Sequence, residues 1–144
     1  MEKMNPRLLE LNKMLNENDV LYQEMAKTFG MSNCMLGVLY AVRMHQNAAT
    51  KEIIRTTSYH DKERVEKTLK EMTEKGYLQI EGEEVSLTRK GRDLARKTID
   101  LIILCENEAL EDLSEKDHRT FTMLIRRYTS LLRHSLEEVK RNDR

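Results

Sequence analysis

A chain of 144 residues is long enough for one domain with one hydrophobic core and an appended dimerisation part. Hydrophobic residues make up 39% of the chain and charged residues 35%, which is the balance of a soluble, helix-rich protein. No apolar run approaches the ~20 residues needed to cross a bilayer. The sequence therefore offers no membrane-spanning segment. The formal net charge is zero, which counts mildly against a nucleic-acid-binding protein, because such proteins are often basic overall.

The first predicted helix runs from Pro6 to about Phe29. Pro6 fits a first helical turn, where its missing N–H costs nothing, and Gly30 provides a left-handed ending. Ser32 is expected to cap a second helix, which runs to about His45 and is apolar on more than one face. The first helix carries a mostly apolar seam with spacings of three and four residues and one polar interruption at Asn18, formed by Leu8, Leu11, Leu15, Asn18, Tyr22, Met25 and Phe29.

Two further helices are predicted on either side of a short polar turn at residues 57–60. Thr50 is expected to cap the first of them, which ends near Thr57, and Asp61 is expected to cap the second, which spans 62–75. The second helix directs basic side chains toward solvent. This arrangement is typical of a helix-turn-helix, in which the second helix is the recognition helix.

After the helix-turn-helix the apolar period changes from helical to alternating. Residues 77–80 and 85–87 read as two short strands around Glu81-Gly82-Glu83-Glu84, which predicts a β-hairpin in the position of a wing. Thr88 is expected to cap the next helix. A helical pattern then continues from Arg92 to Ala109, and Ser114 begins a last helix with apolar residues on one side.

The predicted fold is therefore mainly α with a small β-hairpin wing. A winged helix-turn-helix lobe occupies residues 32–97 of a single domain spanning 1–144, and the helices at 1–31 and 98–144 flank it. The apolar seams of the flanking helices exceed what the lobe can cover. A second copy of the chain is the simplest partner that could cover them, so we expect these helices to form the dimerisation layer of a homodimer.

Two motifs stand at the junctions of these elements. The recognition helix ends in Leu69-x-x-Met72-x-x-Lys75-Gly76-Tyr77-Leu78, and the second wing strand leads into the next helix as Val85-x-Leu87-Thr88-x-x-Gly91. In their order and spacing they resemble the MarR/SlyA family of bacterial winged helix-turn-helix transcription regulators. The resemblance covers nearly the whole chain, including its terminal helices.

The resemblance implies a triangular homodimer whose two lobes enter successive major grooves of a pseudo-palindromic operator in double-stranded DNA. It also implies a repressor that leaves DNA when a small aromatic or anionic effector binds between the lobes and the dimer layer, or when a cysteine is oxidised. The wing departs from the family pattern, which has an arginine that enters the minor groove. Here the wing tip is short and acidic, so we expect little minor-groove contact or weakened DNA binding.

Candidate DNA contacts follow from the helix-turn-helix. Arg64 or Lys62 is suited to read guanine O6 and N7, and Glu63 to accept from cytosine N4, with Lys67 one turn further on. The alternative is an ordinary solvated helix face with Glu63–Lys67 and Glu66–Lys70 pairs. Candidate phosphate contacts, each also explicable as a generic surface charge, are Lys51, Arg55, Lys70, Arg89 and Lys90.

The electrostatic support for these contacts is small. From Arg43 to Arg92 the sequence has eleven Lys and Arg residues against nine Asp and Glu residues, a surplus of two. Nucleophile–base signatures, glycine-rich phosphate loops and His or Cys clusters at metal-ligand spacing are absent from the sequence. We therefore expect no enzyme activity, no cofactor and no metal.

Methionines and a cysteine are candidates for lining an effector pocket: Met14, Cys34, Met35 and Met44. The alternative is that they fill the core. Cys34 and Cys105 are expected to be free, buried thiols in a cytoplasmic protein rather than oxidant sensors. The sequence thus predicts a dimeric, sequence-specific DNA-binding repressor released by an effector. The alternative is a winged-helix dimer with weak or lost DNA binding that binds ligands or proteins.

Overall fold

The computed structural model describes residues 3–58 and 60–142. Its mainly α fold with a small antiparallel sheet confirms the predicted fold class. Tyr59, in the predicted turn of the helix-turn-helix, lies outside the described residues. In chain order the elements are α1 (Pro6–Thr28), α2 (Asn33–Met44), β1 (Ala48–Thr50), α3 (Lys51–Thr57), α4 (Lys62–Glu74), β2 (Leu78–Glu81), β3 (Glu84–Leu87), α5 (Arg89–Lys97), α6 (Ile99–Glu111) and α7 (Glu115–Asn142).

Five helices begin at the caps that the sequence predicted, among them α7, where Ser114 Oγ accepts from the Asp117 N–H at 3.0 Å. The side-chain oxygens of Ser32, Thr50, Asp61 and Thr88 each accept a hydrogen bond from the backbone N–H three residues later, at 2.8–3.1 Å. Each of these bonds satisfies an N–H group that has no partner within the helix. The starts of α2, α3, α4, α5 and α7 are therefore local properties of the sequence.

The sheet has three strands in the order β1-β3-β2 rather than the two of a simple hairpin. β1 was not predicted, because Ala48 and Ala49 have low strand propensity and the strand is three residues long. It pairs antiparallel with β3, with Ala49 opposite Val85 and Thr50 opposite Glu84. The wing is consequently attached to the beginning of α3 along one of its edges.

The core lies around α2, where Val38, Leu39 and Val42 are completely buried. This burial agrees with the prediction that the helix is apolar on more than one face. Buried residues of the surrounding elements belong to the same hydrophobic core. They include Ile54, Val65, Leu69, Met72, Leu78, Val85, Leu87, Ala95, Ile99 and Ile102.

The helical pattern predicted from Arg92 to Ala109 is interrupted at Thr98, which separates α5 from α6. The Thr98 hydroxyl donates to the Leu94 carbonyl at 2.8 Å, and its backbone N–H bonds instead to Ala95 O at 3.3 Å. The Thr98 backbone has φ −129° and ψ −71°, which departs from helical geometry and ends the regular bonding of α5. The prediction of an unbroken helix was therefore wrong at this residue.

The chain divides into two compact units, one ending at Ile103 and the other beginning at Leu104. In the second unit, none of the α7 residues is buried, and one side of α7 is apolar from Phe121 to Val139. In the first unit, Ala26 is the one α1 residue that is buried. The predicted lobe at 32–97 and dimerisation helices at 1–31 and 98–144 stay predictions. None of the helices in the described ranges is both long and apolar enough to span a bilayer.

Candidate nucleic-acid interface

α4 has one buried and one exposed face. Val65, Thr68, Leu69 and Met72 are buried at helical spacing, which anchors the helix on α2. Beneath its first turn, the Cys34 thiol lies 3.7 Å from the Arg64 carbonyl as a weak donor. The exposed face carries the five α4 residues that the sequence predicted as DNA contacts: Lys62, Glu63, Arg64, Lys67 and Lys70.

Lys51 and Arg55, predicted as phosphate contacts from α3, lie beside carboxylates. Lys51 Nζ is 3.8 Å from Glu66 Oε2, and Arg55 Nη1 is 3.8 Å from Glu66 Oε1. On its other side, Arg55 Nη2 is 3.8 Å from Glu83 Oε2 in the wing tip. We refer to Lys51, Arg55, Glu66 and Glu83 as the Arg55 cluster.

The Arg55 cluster was not predicted from the sequence. The alternative interpretation of α4 as an ordinary solvated face paired Glu66 with Lys70 four residues later. In the described part of the chain Glu66 instead contacts α3, and Glu63 forms no ion pair with Lys67. The contact of Glu83 depends on β1, which brings the wing tip to α3, and no local pattern indicated that strand.

The wing tip is shorter than predicted. Glu81 and Glu84 face each other as the last pair of the ladder, so only Gly82 and Glu83 form the turn. Gly82 has φ +60°, which a two-residue turn of type II′ requires at its first central position. All four residues from 81 to 84 are exposed, so the predicted short acidic wing is confirmed.

The two predicted phosphate contacts at the wing exit differ in their surroundings. The Arg89 side chain is exposed. Lys90 Nζ donates to the Lys75 carbonyl at 2.8 Å and lies 4.9 Å from the centre of the Tyr77 ring. Lys90 therefore satisfies a carbonyl at the end of α4 and makes a cation–π contact, which gives it a structural partner in the free protein.

A second ion pair that the sequence did not indicate joins α2 to α6. The Arg43 guanidinium donates to both carboxylate oxygens of Asp100 at 2.9 and 2.7 Å, and to Asn47 Oδ1 at 2.9 Å. These hydrogen bonds lower the pKa of the Asp100 carboxyl against the opposing effect of burial, and raise the pKa of Arg43. The pair secures the start of α6 and the residue before β1.

The four predicted effector-pocket residues differ in burial. Cys34 is buried, Met35 is half-buried, and Met14 and Met44 are exposed. Cys34 and Met44 stand at opposite ends of α2, about 15 Å apart along the helix axis at 1.5 Å per residue. An effector pocket at these residues stays a prediction.

The two thiols also differ. Cys34 is buried, as predicted, whereas Cys105 is exposed, so the prediction of a buried thiol was wrong for Cys105. Cys105 lies on α6 next to Leu104, which is also exposed. This part of α6 is not covered by other described residues of the single chain. Among the residues that the structure describes, no group of His, Cys, Asp or Glu is placed to hold a metal ion.

No protein-family profile and no curated protein sequence matches this chain. Solved structures do match it. A MarR family regulator from Neisseria meningitidis has a TM-score of 0.82 at 17% identity, covering 94% of this chain and 99% of its own. BpsR from Bordetella bronchiseptica, whose DNA binding is regulated by 6-hydroxynicotinic acid, has a TM-score of 0.63 at 14% identity over 83% of this chain and 98% of BpsR.

The organohalide-sensing transcriptional regulator RdhR is also similar. Its ligand-free form has a TM-score of 0.59 at 12% identity, covering 94% of this chain and 88% of RdhR. A 2,4-dichlorophenol-bound form of RdhR has a TM-score of 0.57. These neighbours are transcription regulators rather than enzymes. They confirm the resemblance that the sequence motifs predicted: the chain has the fold of the MarR family of transcription regulators.

Proposed function

We propose that this protein is a dimeric, sequence-specific DNA-binding transcription regulator and not an enzyme. The observation that carries the proposal is the division of α4 into a buried apolar face and an exposed face with four basic residues. A helix anchored in this way and capped at its N-terminus can enter a major groove with its first two turns against the base edges. Arg64 and Lys62 then read guanine, and Glu63 reads cytosine.

The apolar surfaces of the terminal helices support the dimer. Leu8, Leu15 and Leu21 of α1 are exposed, although leucine is usually buried. In α7 the exposed apolar residues are Phe121, Met123, Leu124, Ile125, Tyr128, Leu131, Leu132, Leu136 and Val139. A surface of this extent in a single chain is typical of an obligate interface. A second copy supplies the same residues by symmetry.

Repression that an effector relieves is the regulatory mode we propose. BpsR responds to 6-hydroxynicotinic acid, and RdhR has been solved with 2,4-dichlorophenol, so small aromatic ligands act on proteins of this fold. The corresponding ligand here would be a small aromatic or anionic molecule. Met14, Cys34, Met35 and Met44 are the candidate lining residues.

Selection of bound duplexes from a random DNA pool tests the proposal. We expect a pseudo-palindromic site with two half-sites about one helical turn apart, bound with a steep salt dependence. Arg64→Glu should reduce binding to the selected duplex by at least about tenfold, because a base contact becomes a repulsive charge. Lys97→Glu, at an exposed residue of α5 outside the predicted interface, makes the same charge change and should have a much smaller effect. An Arg64→Glu protein that binds like wild type would disprove the role of α4.

A second candidate is a winged-helix dimer with weak or lost DNA binding that acts on ligands or other proteins. The observation favouring it is the Arg55 cluster, in which two predicted phosphate contacts already have carboxylate partners. The same selection separates the two candidates. Enrichment of no sequence, even at low salt, would favour this second function over the first.

A further inference from the structure

The acidic tip of the wing is held against α3 by its backbone. The Glu83 carbonyl accepts a hydrogen bond from the Lys51 N–H at 2.9 Å. The pairing of Thr50 with Glu84 sets the register immediately beside this bond. The sheet therefore fixes the position of the Glu83 backbone, and from this position the Glu83 carboxylate contacts Arg55.

Arg55 stands between carboxylates from two different elements, Glu66 on α4 and Glu83 in the wing. Glu66 also contacts Lys51. Within the Arg55 cluster two cations face two carboxylates, so the cluster has no net charge. The two α3 residues suited to bind phosphate are thus neutralised by carboxylates of the same chain.

These ion pairs are of a kind that exchanges readily. Each N···O distance is 3.8 Å, longer than a hydrogen bond. The side chains of Glu66 and Glu83 are 42% and 73% exposed, so water screens the attraction. A DNA phosphate approaching Arg55 can displace the Glu83 carboxylate, but the net attraction for the phosphate is reduced by the carboxylate that it replaces.

We propose that Glu83 and Glu66 are built-in counter-ions that compete with DNA phosphates for Arg55 and Lys51. They set the DNA affinity of this protein below the value that its exposed cations would otherwise give. The inference rests on the proposed DNA-binding function. Because a displaced carboxylate takes up a cation from solution, fewer ions are released on binding and the salt dependence becomes shallower.

Glu83→Gln tests the inference, with Glu84→Gln as its matched control. Both variants remove one negative charge from adjacent positions of the same wing, but within the described residues Glu84 forms no ion pair. The measurement is fluorescence anisotropy with a mixed-sequence duplex of about 30 base pairs, or three helical turns, and with the selected duplex, at several salt concentrations.

Glu83→Gln should tighten DNA binding about two- to fivefold. This factor corresponds to the strength of one solvent-exposed ion pair. The slope of log K against log salt should become steeper by up to about 0.9 for each additional phosphate that the protein neutralises. Glu84→Gln should change both quantities less. In an Arg55→Gln background, the effect of Glu83→Gln should fall to that of Glu84→Gln.

Equal effects of Glu83→Gln and Glu84→Gln would show a general charge effect and overturn the inference, while the proposed function stands. Tighter binding that persists without Arg55 would overturn it as well. If wild type and every variant fail to bind DNA, the proposed function and the inference both fail. Binding that appears only in the Glu83→Gln protein would support the inference and identify the carboxylate as the reason that wild type does not bind.

Discussion

The Thr88 hydroxyl donates a hydrogen bond to the Gly76 carbonyl at 2.5 Å, joining the end of the α4 segment to the start of α5. The Thr88 N–H bonds to Tyr77 O at 3.0 Å, and Lys90 bonds to Lys75 O. The two sequence motifs that indicated the fold are therefore in direct contact. These contacts explain the threonine at position 88, whose hydroxyl is a donor, whereas the acceptors are backbone carbonyls of the first motif.

Gly91→Ala should strongly destabilise the protein. A Cβ at residue 91 would overlap the Tyr77 carbonyl oxygen, which is backbone and cannot move aside. We expect a loss of about 2–3 kcal/mol in the free energy of unfolding, the upper part of the range for overpacking. Urea denaturation followed by circular dichroism measures it.

Gly37→Ala is the control for that substitution. A Cβ at residue 37 would lie 3.4 Å from the Ser58 carbonyl oxygen, at the edge of ordinary contact, and alanine favours the helix. The change in unfolding free energy should be within about 1 kcal/mol of zero. Similar losses for Gly37→Ala and Gly91→Ala would contradict the close approach of α5 to Tyr77.

Thr88→Val should reduce stability by about 1–2 kcal/mol, because the hydroxyl both caps α5 and bonds to Gly76. Thr88→Ser retains the hydroxyl and should recover most of the loss. Thermal and urea unfolding of the three proteins provide the comparison. A valine variant as stable as wild type would contradict the contribution of the two hydroxyl bonds, and a serine variant as unstable as the valine variant would show that the hydroxyl alone does not account for the role of Thr88.

The Arg43–Asp100 pair should make stability depend on acid pH. The folded pKa of Asp100 lies below its unfolded value of about 3.9, so the contribution is fully present above that pH. It is lost as the pH falls through the folded pKa. Because 37% of the Asp100 side chain is exposed, screening limits the contribution to about 1 kcal/mol.

Asp100→Asn isolates this contribution. The stability difference between wild type and Asp100→Asn should be present at pH 6 and shrink once the pH drops below about 4. Urea titrations at each pH measure the difference. An equal difference at both pH values would mean that the Arg43–Asp100 pair does not titrate in this way.

Leu132→Arg should disrupt the proposed dimer. Leu132 is 56% exposed on the apolar side of α7, and a buried unpaired arginine at a symmetric interface would occur twice. Ser130→Arg places the same side chain on the opposite side of the helix and should leave the dimer intact. Sedimentation velocity over a range of concentrations distinguishes the two. A wild-type protein that sediments as a monomer would exclude the dimer.

The positions of caps, apolar periods and the two wing strands were predictable because they depend on residues within a few positions of one another. Ser32, Thr50, Asp61 and Thr88 bond three residues ahead, so their roles are visible in the sequence. The acidic character of the wing was equally visible. The α4 face and its candidate DNA contacts also follow from helical periodicity.

Only the tertiary structure determined which groups the charged residues contact. Glu66 contacts α3 rather than Lys70, and Glu83 reaches Arg55 only because β1 pairs with β3. Arg43 meets Asp100 across 57 positions of the sequence. The reason is that an ion pair between separate elements depends on how the elements pack, whereas a cap or an amphipathic face depends only on local geometry. The sequence by itself determined the helices and their faces, and the packing determined which of the cations already have carboxylate partners.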